Sequence, residues 1–363
     1  MQIPNYTKIH NRFLLNGFYY DNKGLKEVAY SFIKEGDLFE RYMGDFLLDW
    51  LDQNETIYLE TSGTTASPTR MLYKKQALVN SAIATGNFFN VSVGDKALHC
   101  LPANFIAGKM MLIRAMILGF SLDLVSPSKN PFHRNEKVYD FVAMTPMQAF
   151  YSLPNLNQVK TLIVGGAFVS VALQKELIKH KVNAFETFGM TETLSHIAVR
   201  SMEDPPSEFT CLSHVSITQD SRKCLVINSP QLDIKNLITN DEVEFLDQNR
   251  FRLIGRTDYV INSGGIKLHP EQIERKLSKI LTLHYFITSL PDAVLGQKVV
   301  LVLIENKNID TSNLINQLKK NGNLTPYEIP KAIVFYSDFI LTHSGKIKRE
   351  KTLAQKHSRI LDL

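Results

Sequence analysis

Short apolar runs alternate with helical stretches along most of the chain. Thr56–Glu60 has the alternation of a strand and runs into a polar loop over 61–69, after which 76–89 carries a helical pattern. The run 161–164 is continuously apolar, as in a buried strand. It ends at Gly165-Gly166 and is followed by helical periodicity over 170–180. Residues 182–187 repeat the strand pattern and end at Phe188-Gly189. Strand, glycine and helix in repetition predict an α/β sheet with ligand loops at the strand ends. Beyond Gly255 the pattern predicts helices over 267–280 and 311–320 and strands over 299–304 and Ala332–Tyr336, a small α+β unit. The expected organisation is a large N-terminal α/β domain over 1–255 and a C-terminal α+β domain over 256–363, with the joint at Gly255 to Asp258.

Composition narrows the class. The chain has 363 residues, enough for two domains at roughly 150 residues each. Hydrophobic residues make up 44% and charged residues 21%, which is ordinary for a globular protein and too apolar for a disordered one. Cys100, Cys211 and Cys224 have no metal-ligand spacing and make no disulfide framework, so a cytoplasmic location is expected. The opening MQIPNYTKIH lacks the apolar core of a signal peptide. The longest apolar stretch, 110–125, is shorter than the ~20 residues a membrane span needs and contains Arg114; it is expected to be a buried helix. Net charge is +5, too small and scattered to argue for nucleic acid. It is unevenly divided: 256–363 carries +6 and the remainder −1, so the C-terminal unit is the part suited to facing an anion.

Five motifs carry candidate chemistry. Thr61-Ser-Gly-Thr-Thr-Ala-Ser-Pro68 surrounds a glycine with hydroxyls just after a strand, so its amides and hydroxyls can cradle phosphate, although Ser/Thr-rich loops are more often plain surface. It is not a Walker A loop, because no Gly-Lys-Ser/Thr follows. Gly165-Gly166-Ala167 lets a flat ring approach the backbone, or is simply a tight turn. In Phe185-Glu-Thr-Phe-Gly-Met-Thr-Glu-Thr193, Phe188 can stack on a base or sit in the core, Thr191 can donate to phosphate, and Glu192 offers Mg²⁺ a hard oxygen. Gly255-Arg-Thr-Asp-Tyr-Val-Ile-Asn-Ser-Gly-Gly-Ile-Lys267 puts charge and flexible glycines at the domain joint. Ser344-Gly-Lys-Ile-Lys-Arg349 sets a lysine beside glycine, where it can extend as a point charge or form a basic tail.

Taken in order, these motifs resemble the adenylate-forming superfamily of acyl-CoA synthetases, luciferase-like enzymes and amino-acid adenylation domains, over residues 56 to 350. The resemblance makes Thr61, Ser62, Gly63, Thr64 and Thr65 the phosphate loop. Gly165, Gly166, Ala167, Phe188, Gly189 and Met190 become nucleotide contacts, and Asp241 the ribose-binding acid. Arg256, Gly264, Gly265 and Lys267 belong to the nucleotide-facing joint, with Asp258 as its hinge. It implies that ATP and a carboxylic acid form an acyl-adenylate and pyrophosphate, and that coenzyme A then takes the acyl group. Lys346 and Thr191 would serve the reaction, Glu192 would also hold Mg²⁺, and the C-terminal domain would rotate between the two half-reactions. The chemistry needs positive charge between two approaching anions and no side-chain nucleophile.

The sequence departs from that pattern in places. Ala66 stands for glycine and Thr69 for lysine in the phosphate loop; Phe188 replaces tyrosine, Asn240 replaces glycine, and Phe105 stands where a histidine is usual. Only 60 residues precede the phosphate loop, so much of the family's N-terminal subdomain is expected to be absent. A body so reduced suits a small or soluble acid, or an oligomer that completes the missing wall. The stretch Gly189-Met-Thr-Glu-Thr-Leu-Ser-His-Ile197 is similar to that of o-succinylbenzoate–CoA ligases of menaquinone synthesis, with His196 where glutamine is common. An aromatic dicarboxylate has a spare carboxylate, and Ser195, His196 and Arg200 lie near its expected pocket. The alternatives are another small or aryl acid–CoA ligase, or a weakened nucleotide-binding protein.

Overall fold

The computed structural model describes residues 3–60, 70–132, 136–202, 208–281, 283–306, 309–341 and 347–363. Thr61, Ser62, Gly63, Thr64, Thr65 and Lys346 lie outside the described residues. The first part of the chain forms β1 (Leu14–Leu15), β2 (Phe18–Tyr19), α1 (Asn22–Glu35), α2 (Leu38–Leu51), and the hairpin β3 (Thr56–Glu60) and β4 (Arg70–Lys74). Next come α3 (Lys75–Phe88), β5 (Lys96–His99), α4 (Ile106–Leu118), β6 (Ser121–Leu124), β7 (Tyr139–Met144) and α5 (Pro146–Ser152). The α/β part closes with β8 (Val159–Val164), α6 (Val171–Lys179) and β9 (Ala184–Gly189). Six further strands follow: β10 (His196–Ser201), β11 (Phe209–Cys211), β12 (Ser216–Gln219), β13 (Cys224–Ser229), β14 (Ile234–Phe245) and β15 (Arg250–Arg256).

Among the described residues, these strands make one large sheet in the order β12-β13-β14-β15-β11-β10-β9-β8-β7-β5-β6-β1-β2. Pairing from β1 through β6, β5, β7 and β8 to β9 is parallel, and from β9 onward it is antiparallel. The parallel strands are buried on both faces and therefore read as unbroken apolar runs such as Leu162-Ile-Val164. The 110–125 run is not one helix. α4 ends at Leu118, Gly119 takes the left-handed conformation (φ 76°) that stops it, and the remaining apolar residues form β6.

The chain continues with β16 (Ile261–Ser263), β17 (Ile266–Leu268), α7 (Pro270–Leu277), β18 (Tyr285–Asp292), β19 (Gly296–Ile304), α8 (Thr311–Lys319), β20 (Ala332–Tyr336), α9 (Arg349–Leu353) and β21 (Arg359–Asp362). A second sheet runs β17-β16-β19-β20-β21, with β18 also on β19, and Ile273, Leu301, Leu318 and Phe335 pack in its core. The helix expected over 267–280 is shorter, because Lys267 and Leu268 pair in β17 and Pro270 opens α7 at the position where its missing N–H costs nothing.

One part-buried ion pair links α7, β18 and α9 in this second unit. The Ile287 N–H donates to Glu274 Oε1 (2.7 Å), and Arg349 Nη2 lies 2.9 and 3.0 Å from the two carboxylate oxygens. The Arg349 guanidinium also lies over Tyr259 (5.0 Å) and Phe286 (5.6 Å). Burial pushes the Glu274 carboxyl up to about 7 despite the opposing pull of Arg349. The fold thus favours the protonated acid. Its contribution to stability is fully present below the ordinary 4.5 and is lost as pH rises through about 7. Urea unfolding of the wild type is expected to weaken over that interval, by up to about 3 kcal/mol from this group. Glu274→Gln should flatten that part of the profile.

Candidate functional site

The carboxyl ends of β8 and β9 bring two of the motifs together. Gly165, Gly166 and Ala167 leave β8, and Phe188 and Gly189 finish β9 beside it. A Cβ on Gly165 would stand 2.2 Å from Thr187 Oγ1, so only glycine allows the two strand ends to lie this close. Phe188 packs on Phe251 (5.4 Å) and Phe209 (5.8 Å), which puts its ring in an aromatic layer beneath the strand ends.

The turn between β9 and β10 is held from within. The Met190 N–H donates to Thr193 Oγ1 (2.9 Å), and that hydroxyl reaches the Ser195 carbonyl (2.7 Å). Thr191, Glu192 and Thr193 form one 3-10 turn with Thr191 buried. Leu194, fully buried, has φ 64°, a strained state for a bulky residue that the surrounding bonds enforce. Glu192 is half-buried and faces the hairpin that carries the 61–69 loop. Burial, with the Glu192 carboxylate adding to it, pushes the Tyr73 phenol on β4 up to about 12. The Glu192 carboxylate is therefore within electrostatic reach of Tyr73 on β4.

Behind this turn lies a buried polar group that sequence reasoning only half found. Arg114 on α4 is 2% exposed, and its Nη2 donates to Ser195 Oγ (2.6 Å). The same nitrogen is 3.5 Å from His196 Nδ1, and His196 Nε2 is 3.3 Å from Thr85 Oγ1 on α3. Thr85 spends its single hydroxyl proton on the Ser81 carbonyl (3.0 Å), so it accepts from the Nε2–H, and Nδ1 is left as the acceptor facing Arg114. Burial holds His196 well below the ordinary imidazole range, with Arg114 and His214 adding to the effect, so the ring is neutral. Burial alone brings Arg114 down to about 9; among the described residues no carboxylate offsets it. Its Nε has no hydrogen-bond partner among them either. A single charge within the helical part of the 110–125 run, residues 110–118, was the available signal, since such a residue is seldom buried unpaired without a use.

Ser195 and His196 thus stand together with Arg114, whereas Arg200 stands apart. Its Nε donates to Glu186 Oε2 (2.6 Å), its Nη2 also pairs with that oxygen, and its guanidinium lies over Phe209 (5.2 Å). Arg200 is committed to the β9–β10 pair, and the arginine beside Ser195 and His196 is Arg114.

At the far side, Asp241 on β14 is buried opposite Arg256 on β15, with Arg256 Nη1 3.5 Å from Asp241 Oδ1. Arg256 Nη2 reaches Asp258 Oδ2 (2.5 Å), and Asn240 Nδ2 donates to Asp258 Oδ1 (2.7 Å). Gly264 and Gly265 turn the β16–β17 hairpin, and Lys267 lies on its return strand, so all three belong to the second sheet. The two sheets meet where His269 Nε2 is 3.3 Å from Glu242 Oε2 and Arg275 lies over the half-exposed Phe168 ring (5.6 Å).

Residues 48–217 match the family model described as AMP-binding enzyme. The chain is 23% identical over 369 residues to 2-succinylbenzoate–CoA ligase of Listeria monocytogenes, covering 92% of this chain and 76% of that protein. It is 32% identical to the acyl-CoA synthetase (AMP-forming)/AMP-acid ligase II-like protein of Dyadobacter fermentans, with a TM-score of 0.59 over 90% of this chain and 97% of that one. The o-succinylbenzoate CoA synthetase of Bacillus subtilis, solved with its acyl-adenylate intermediate, shares the fold at 19% identity and a TM-score of 0.72 over 83% and 69% of the two chains. The chain belongs to the AMP-binding, adenylate-forming enzymes.

An unpaired cation in the interior is a burden on folding unless a ligand uses it. Arg114→Met, similar in length and apolar, is expected to leave thermal unfolding of the ligand-free protein unchanged or to raise its midpoint. Differential scanning calorimetry reads this directly; a drop of several degrees would mean that Arg114 holds the fold.

Proposed function

We propose that the chain is an AMP-forming acid–CoA ligase whose acid is 2-succinylbenzoate, the substrate named for its relatives. The observation that carries the reading is Arg114, a buried cation with no acidic partner among the described residues, set beside the neutral donors and acceptors of Ser195 and His196. An aromatic dicarboxylate has one carboxylate to activate and one left over, and Arg114 with Ser195 receives the second. Phe89, edge-on to both His196 (6.5 Å) and Phe185 (5.1 Å), gives this group an aromatic wall suited to a benzene ring.

The first carboxylate attacks the α-phosphorus of ATP; the bond to the bridging oxygen breaks and pyrophosphate leaves. Lys346 is assigned to the two reacting anions, and the amides and hydroxyls of Thr61, Ser62, Gly63, Thr64 and Thr65 to the phosphates, with Thr191 beside them. Asp241 is assigned to the ribose, and Gly165, Gly166, Ala167, Phe188, Gly189 and Met190 to the base. Mg²⁺, when bound, offsets the charge of the departing pyrophosphate. Glu192 fits that ion: it is a single half-buried carboxylate, and Mg²⁺ leans on one or two carboxylates plus phosphate.

In the second step the thiol of coenzyme A attacks the acyl carbon, AMP leaves, and the thiol proton passes to solvent. The unit over 256–363 is assigned as the mobile domain, with Asp258 as hinge, Arg256 beside it and Gly264, Gly265 and Lys267 turned to the second substrate. Its excess of basic residues suits the phosphates of coenzyme A. Among the described residues no helix is long and apolar enough to cross a membrane. The three cysteines are free and buried, which suits a reducing cytoplasm.

Pyrophosphate release should require 2-succinylbenzoate, and mass analysis after adding coenzyme A should find its thioester; release with other aryl acids at equal kcat/KM would overturn the substrate assignment. Lys346→Ala is expected to abolish adenylation while sparing thioester formation from supplied acyl-adenylate, and equal loss of both would rule out a role confined to the first step. Arg114→Met should lower kcat/KM for 2-succinylbenzoate by about 100-fold or more.

A further inference from the structure

His214 lies in the segment that follows β11, and its position is fixed from two sides. The Leu212 N–H donates to the Ile197 carbonyl (2.8 Å), which brings the segment to the end of β10 that bears His196. The Ser229 hydroxyl donates to the His214 carbonyl (2.9 Å), and two residues on, the Gln231 carbonyl accepts from Asn80 Nδ2 (2.7 Å), next to Ser81 on α3. His214 therefore stands between α3 and β10, as the Arg114 group does. It is 9% exposed, and among the described residues neither ring nitrogen has a hydrogen-bond partner. Ser81 Oγ, fully buried one turn before Thr85, has none either. Burial brings the His214 ring down to about 4, so it is neutral and presents one N–H and one lone pair. A buried donor left without a partner costs free energy, and the group around it holds donors in excess with no acid among the described residues.

The geometry points to His214 as a specificity-determining donor whose ring N–H hydrogen-bonds the ketone oxygen of the acyl substrate, while Arg114 takes the spare carboxylate. This role rests on the 2-succinylbenzoate reading and goes beyond it. 2-Succinylbenzoate carries one acceptor more than a plain aryl dicarboxylate: the neutral carbonyl between ring and chain. A neutral imidazole suits a neutral acceptor, whereas the charged fork of Arg114 suits an anion.

The test compares 2-succinylbenzoate with its desoxo analogue, 4-(2-carboxyphenyl)butanoate, by pyrophosphate release. Wild type is expected to favour the ketone by about 10- to 100-fold in kcat/KM. In His214→Leu the preference should collapse to within about threefold, and His214→Gln, which keeps an N–H donor, should recover much of it. If His214→Leu does not fold, the wild-type ratio still decides, since equal use of the two acids overturns the proposal. A preference that survives in a folded His214→Leu overturns it as well. Turnover of neither acid by wild type removes the substrate reading itself, a result distinct from equal turnover of both.

Discussion

The reversal of pairing direction at β9 is the constraint on which the site depends. From β1 through β6, β5, β7 and β8 to β9 the large sheet is parallel; β10 folds back antiparallel through a turn of six residues, 190–195. That turn must cross the mouth of the parallel strands, where backbone groups end and helices begin. A Cβ on Gly189 would fall 2.3 Å from the Ser195 carbonyl, so the two ends of the turn are pressed together. Closure at that point sends Glu192 toward the hairpin of the 61–69 loop and Ser195 and His196 toward α3 and α4. One short loop thereby carries Glu192 on one side and Ser195, beside Arg114, on the other.

Much of this was legible in the sequence, and what was not has physical reasons. The parallel strands announced themselves because burial on both faces leaves no polar position to break the run, as in 161–164. The phosphate, base and metal candidates clustered in short motifs because they are loop residues at strand ends, adjacent in sequence as well as in space. Arg114 and Thr85 gave no such signal, since each sits on a helix and meets His196 only when the two helices are laid against β10. Arg200 misled for the converse reason: it is near Ser195 in sequence, yet four positions along a strand carry it to Glu186. The 110–125 run joins a helix to a strand: Gly119 marks the break, and the polar–apolar alternation of Ser121-Leu-Asp-Leu124 after it belongs to β6.

Phe105 stands just before α4, and the neutral imidazole beside Arg114 of that helix is His196. Cation, hydroxyl and imidazole are held by α4, α3 and β10 rather than by loops, so their spacing is set by the rigid part of the molecule.

The seam between the two sheets has a last consequence. There α7 packs against β15, with Gly255 close against His269 and Glu271, beside an arginine laid on a half-exposed ring and a histidine next to a partly exposed acid. Inside the second unit the pair of Glu274 and Arg349 is largely screened from solvent, with Arg349 laid over Phe286. The C-terminal sheet therefore keeps an interior of its own, with Phe286, Val300, Val302 and Val334 closed off from water.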